Sequence, residues 1–376
     1  MRASPWNLAR ISTAVGVAVA AGTLGATAYA SAAPPTLPGT LRTIVSTVPK
    51  NGDVNPYGMA FVRKSTGLLV QGDILVSNFN NAKNLQGTGS TIVEVSPTGS
   101  RTLFATVAAR GLPGSCPGGI GLTTAIAVLD PGWVVVGSLP TTDGKAPSAQ
   151  AGCLLVLDSE GKVVETWSGH GLNGPWDMTA SQSGSKASLY VTTVLNGTVA
   201  AKGARVHQGA VLRLDLSLPS GKAPLLQRTT VVGSGFPERT DPGALVIGPT
   251  GVGLGPEGTL YVADTLDNRI DVITHAGTRS TSAREGAIVT SGGALNHPLG
   301  LVVAPSGLVL TVNANDGMLV ATKPAGTQTG AALIDKSGSP KGAGALFGLA
   351  LATGGRLFFV DDATNTFRVF TSPGLR

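Results

Sequence analysis

The stretch Gly251-Val-Gly-Leu-Gly-Pro-Glu-Gly-Thr-Leu-Tyr-Val-Ala-Asp264, continued by Thr-Leu-Asp-Asn-Arg-Ile-Asp-Val-Ile273, decides the fold. Short apolar runs separated by Gly and Asp/Asn turns read as strand, turn, strand, loop, strand. Five further segments repeat the layout. A small residue opens the first strand and a polar residue ends the second, 13 positions apart in four copies: Ala125 to Ser138, Gly251 to Asp264, Gly300 to Asn313 and Gly348 to Asp361. Two copies fit with a longer first hairpin: Gly58 to Asn78, enlarged by Arg63-Lys-Ser-Thr-Gly67, and Asp177 to Thr193, enlarged by Ser181-Gln-Ser-Gly-Ser185. The six starts lie 67, 52, 74, 49 and 48 residues apart. Each unit is thus near the length of one four-stranded propeller blade, and the expected fold is an all-β, six-bladed β-propeller.

The last unit has only 28 residues after Gly348, enough for three strands near Leu349 to Leu351, Leu357 to Asp361 and Thr366 to Phe370. Leu41-Arg-Thr-Ile-Val-Ser-Thr-Val48 alternates like a strand but precedes the first complete unit. It is expected to supply the fourth strand of the last blade and close the ring, leaving no open edges.

Pro-x-Gly before an apolar strand, followed by Gly-x-Leu-Tyr-Val-Ala-Asp-x-x-Asp-Asn-Arg-Ile, resembles the NHL-repeat family of β-propellers. The unit beginning at Gly251 carries the pattern most fully, and the resemblance extends from about residue 40 to the C-terminus. It implies a fold shared by binding scaffolds, ring-opening lyases and metal-dependent enzymes, so the reaction must be argued from the site.

Residues 1–30 read as a signal peptide. Arg2 and Arg10 form a positive start, Ile11 to Leu24 a small-residue apolar run, and Ala28-Tyr-Ala30 a cleavage site. Cleavage there would give an exported protein, periplasmic or secreted, with no stable membrane insertion; the rival reading is an uncleaved anchor. Residues 31–39 read as a linker and 40–376 as the propeller, expected to be a monomer. Gly 53, Pro 24 and 13% charged residues suit many tight turns. Removing Arg2 and Arg10 takes the net charge from +6 to +4, with no basic cluster, which argues against a nucleic-acid partner. Cys116 and Cys153 are the only cysteines. In an exported chain they suit a disulfide; a pair of buried thiols is the alternative.

The face carrying the starts of the first strands and the loops joining second to third strands, here called the top, bears the longest insertions, Phe79 to Gly89 and Val194 to Gln208. A small-molecule, glycan or protein ligand is expected there. Tyr57, Trp176 and Phe347 precede the opening residues of their first strands and either floor a ligand site or pack the channel mouth. Asp177 breaks the small-residue rule and is a candidate ligand-binding, catalytic or metal-holding carboxylate; a backbone cap is the plain alternative. Asp264 and Asp361 end second strands, where calcium or another divalent cation could be held together with Asp177, although Asp at such positions also makes Asx turns.

Catalytic signatures are few. In peptide-amidating lyases of this propeller type, zinc-binding histidines follow the repeat's proline, whereas here Tyr57, Trp176 and Leu299 do. No Glu occupies the opening positions, as a resemblance to sugar-lactone hydrolases would require. His207 and His297 remain as partners for Asp177 in a lyase or hydrolase site at the channel mouth. Gly253-Leu-Gly-Pro-Glu-Gly258 matches a dinucleotide fingerprint, but no helix follows it. Asn196-Gly-Thr198 is a weak glycosylation cue. On these grounds the leading expectation is a non-catalytic binding or interaction module.

Overall fold

The computed structural model describes residues 34–375; the signal-peptide reading lies outside them. A first strand, β1 (Thr40–Ser46), is followed by six antiparallel sheets. Blade one holds β2 (Val54–Phe61), β3 (Ile74–Asn80), β4 (Thr91–Val95) and β5 (Arg101–Thr106). Blade two holds β6 (Leu122–Leu129), β7 (Trp133–Ser138), β8 (Cys153–Leu157) and β9 (Val163–Trp167). Blade three holds β10 (Pro175–Ser183), β11 (Lys186–Thr193), β12 (Val206–Ser217), β13 (Leu225–Asp241) and an added β14 (Leu245–Ile247). Blade four holds β15 (Pro249–Leu254), β16 (Leu260–Asp264), β17 (Arg269–Ile273) and β18 (Ala287–Ser291). Blade five holds β19 (Pro298–Val303), β20 (Val309–Asn313), β21 (Met318–Thr322) and β22 (Gln328–Leu333). Blade six holds β23 (Leu346–Ala352), β24 (Arg356–Asp361) and β25 (Thr366–Thr371), and β1 completes it.

The ring closes as the sequence predicts. β1 pairs antiparallel with β25 from Thr40↔Thr371 to Ser46↔Thr366. The segment expected as a linker also takes part: Thr36 bridges Ala331 of β22, Leu37 N–H donates to the Ala331 carbonyl, and Leu37 is buried. One continuous strap therefore ties blade five to blade six.

The core lies between blades. Leu154, Val156 and Trp167 of blade two meet Met178, Leu189 and Leu212 of blade three, for example. The glycines opening the first strands allow this approach at the axis. A Cβ on Gly300 would lie 1.7 Å from the carbonyl oxygen of Phe347, and one on Gly348 would lie 2.2 Å from that of Tyr57. At these glycines the innermost strand sits against the next one's backbone, and only a residue without a side chain fits.

Blade three departs from expectation in two ways. Ser181 to Ser185 was expected to enlarge a turn; instead β10 and β11 run longer, pairing Ser181↔Ser188 and Ser183↔Lys186 about a tight turn in which Gly184 has φ +56°. β13 was not foreseen at its full length, because Gly233, Gly235 and Pro237 interrupt its apolar pattern. Its hairpin with β14, paired Arg239↔Ile247 to Asp241↔Leu245, sends Leu245 and Val246 into the cluster at the channel mouth. The disulfide is present: Cys116 and Cys153 are bonded, with Cα atoms 5.1 Å apart. It ties the loop before β6 to β8 within one blade.

Candidate functional site

The top mouth of the axial channel is filled. Tyr57 stacks on Phe79 at 4.5 Å and on Phe347 at 4.0 Å between ring centres, and Trp176 tilts against Tyr57 at 5.7 Å. Tyr57, Trp176 and Phe347 are 1%, 2% and 5% exposed, so their faces meet one another and not solvent. Leu139, Val194, Leu245, Val246 and Leu299 complete the cluster. The packing alternative for these aromatics describes what the structure holds.

Below this plug the channel remains open. A cavity of about 370 Å³ runs from Thr124, Asp177, Gly300 and Gly348 toward Phe61, Arg63, Leu254 and Pro305. It therefore opens on the face opposite the top, where first strands turn into second strands. Each blade's innermost strand has an edge unpaired within its own sheet. Backbone N–H and C=O groups along those edges make the wall more polar than its side chains suggest.

Asp177 lies at the closed end. Its Oδ2 accepts the Val252 N–H at 3.0 Å, so the carboxyl reaches from blade three to blade four. Burial pushes its pKa up to about 7, only partly offset by the Val252 and Met178 N–H groups. The Thr124 hydroxyl, on the innermost strand of blade two and in the lining of the same cavity, is buried and has no hydrogen-bond partner in the protein.

A pair of hydroxyls that the sequence reading overlooked hold this end of the channel. Ser77 Oγ accepts the Gly58 N–H at 3.0 Å and donates to the Thr123 carbonyl at 2.7 Å in the next blade. Thr192 Oγ1 accepts the Asp177 N–H at 3.0 Å and donates to the Thr250 carbonyl at 2.8 Å. The signal was a hydroxyl residue just before the polar strand ends Asn78 and Thr193.

The remaining candidates are not brought together. His207 is exposed at the start of β12, and neither it nor His297 lines the channel. His297, with φ +56°, places Nδ1 2.7 Å from Asn315 Nδ2 on blade five. The two other carboxylates serve turns and arginines. Asp264 sits 3.0 Å from Arg269, whose guanidinium also meets Asp271 and Glu285, and its Oδ1 accepts the Asp267 N–H. Asp361 pairs with Arg368 and accepts the Thr364 N–H at 3.0 Å. Among the described residues no three His, Cys, Asp or Glu side chains converge as metal ligands. Asp177, Asp264 and Asp361 are thus not brought together as one ligand set among the described residues. Within the sequon, Asn196 is engaged with Asn173 and Thr193, and Thr198 is buried.

No protein-family model and no curated protein matches the chain. Solved structures do. Regucalcin from Agrobacterium tumefaciens, described as a calcium-binding protein, aligns over 90% of this chain and 95% of its own, with TM-score 0.56 and 15% identity. A gluconolactonase from Xanthomonas campestris aligns over 90% and 95%, with TM-score 0.53 and 14% identity. A streptogramin B lyase aligns over 89% and 98%, with TM-score 0.52 and 13% identity. At these identities the likeness shows a shared fold: the chain is a six-bladed β-propeller. Its fold neighbours include enzymes and a calcium-binding protein.

Proposed function

We propose that this chain is an exported propeller that binds a small hydroxyl-rich molecule in its axial channel without converting it. The observation that carries the reading is the channel lining, which holds both the unpartnered Thr124 hydroxyl and Asp177. Six backbone edges can offer further donors and acceptors, and about 370 Å³ suits a small ligand. The apolar plug leaves the opposite mouth as the way in, so the ligand would not lie on the top face. Export is supported by the signal-like residues 1–30 and is compatible with the disulfide. The NHL-type motif around Asp264 and Arg269 reads as a structural latch within this proposal.

A second reading is favoured by one observation. A carboxyl whose pKa stands at about 7 is suited to general acid–base work, so Asp177 could act alone on a bound molecule.

The test is thermal unfolding of the purified protein against monosaccharides, disaccharides and sugar lactones, with mass spectrometry of small molecules released on denaturation. Binding should raise the Tm, and Thr124→Val should weaken the hit at least about tenfold while folding normally. NMR of the hit incubated with protein separates the readings: an unchanged ligand supports binding alone, and loss that depends on Asp177 supports catalysis. No stabilising compound and no released molecule would sink both.

A further inference from the structure

A second cavity, of about 430 Å³, lies on the flank of blade one, away from the channel. It runs between the long β2–β3 connection and the β4–β5 hairpin. Leu68, Val70 and Leu103 form its rim and are 49%, 51% and 52% exposed, unusual for large aliphatic residues in a chain with so well-filled a core. Asp73 and Glu94 line the same cavity.

Glu94 is 4% exposed, with Oε1 accepting the Val70 N–H at 2.8 Å, and Asp73 is half-buried. Neither carboxylate has a salt-bridge partner among the described residues, and no lysine or arginine lines the cavity. Arg101, on the neighbouring strand, points its guanidinium to the Ser46 and Val48 carbonyls. Burial raises the pKa of both acids, and their mutual repulsion raises that of Glu94 further. Burial disfavours the charged form of each acid, Ser96 and the Val70 N–H offset this only in part, and no cationic side chain lines the cavity beside them.

We propose that this groove binds an aliphatic organic amine, its ammonium between Asp73 and Glu94 and its methylenes across Leu68, Val70 and Leu103. The two chemistries are adjacent as such a molecule requires: a charged end a few methylenes from an apolar body. Inorganic cations would gain nothing from the rim, and a neutral alkyl chain would leave the acids unpaired. This site does not depend on the channel reading.

Isothermal titration with n-pentylamine, 1,5-diaminopentane and neutral 1-pentanol tests it on the folded protein. Both amines should bind saturably at one site with a Kd in the range of about 0.1 to 5 mM, and pentanol at least about tenfold more weakly. Asp73→Asn should reduce amine affinity about tenfold, and Asp73→Asn combined with Glu94→Gln should abolish measurable binding. Glutamine keeps an acceptor for the Val70 N–H, and if the double variant does not fold, the single Asp73 variant and Leu103→Ser carry the test. The proposal is overturned by the absence of saturable amine binding up to about 10 mM, or by affinity that is unchanged in Asp73→Asn.

Discussion

Asp177 stands where four other blades place glycine and one alanine, and its consequence is an acid held in the wrong solvent. Its one strong acceptor contact is to the Val252 N–H, while burial raises its pKa to about 7 from an ordinary value of 3.8. The sign of the linkage follows. Below about pH 4 the carboxyl is protonated in both folded and unfolded chains and has no effect. Between about pH 4 and 7 only the unfolded chain ionises, so stability falls as pH rises, and above pH 7 the loss is constant. An Asp177→Asn protein keeps an acceptor for Val252 and never ionises. It should match the wild type near pH 4 and exceed it at pH 8, by at most about 4 kcal/mol at about 1.4 kcal/mol per pKa unit. Urea unfolding at both pH values checks this; a variant less stable at pH 8 would mean that the ionised form is favoured in the fold, against a merely buried acid.

At the scale of the strand, the sequence was legible where one residue type has one job. The glycines 13 positions before polar strand ends located three innermost strands because those strands touch the next blade's backbone. The motif from Asp264 to Arg269 was legible as a repeat, but its role emerges only in space, where Arg269 joins Asp264, Asp271 and Glu285. What could not be read was whatever depends on partners distant in sequence. The aromatics before the opening residues left two outcomes open, and it took Phe79 and the β13–β14 hairpin, neither part of the repeat, to bury their faces. Asp177's reach to Val252 spans 75 residues, and no local pattern announces it. The glycine argument can be tested on β19. Gly300→Ala must displace either its own strand or the Phe347 carbonyl, and should cost about 2 to 4 kcal/mol in chemical denaturation. Ala125→Gly, at the one position that already bears a methyl group, is the control and should cost about 1 kcal/mol or less. Equal effects would show that the interblade approach does not dictate the residue.

For the whole molecule, the decisive feature is that a ring has no free edge only when it is closed. Here closure depends on the first described residues: β1 completes blade six, and the segment before it binds β22 of blade five through Thr36 and Leu37. β1 buries little of its own side-chain surface, since most of its residues are exposed. Its contribution is therefore mainly the backbone pairing that covers the edge of β25, while Leu37 adds apolar contact in the core of blades five and six. A chain lacking residues 34–46 should consequently show two effects of different origin. The Tm should fall, because the strap and Leu37 are lost, and the protein should self-associate, because β25 then presents unpaired N–H and C=O groups to other molecules. Calorimetry reads the first, and light scattering over a range of protein concentrations reads the second. A synthetic peptide covering residues 34–46, added in trans, should reverse both by re-forming the pairing from Thr40↔Thr371 to Ser46↔Thr366. Leu37→Ser separates the contributions: it removes the apolar anchor but leaves β1 paired, so it should lower the Tm and leave the protein monodisperse. If the truncated chain stays monodisperse with an unchanged Tm, closure by β1 is dispensable and the remaining three strands of blade six suffice to hold the ring.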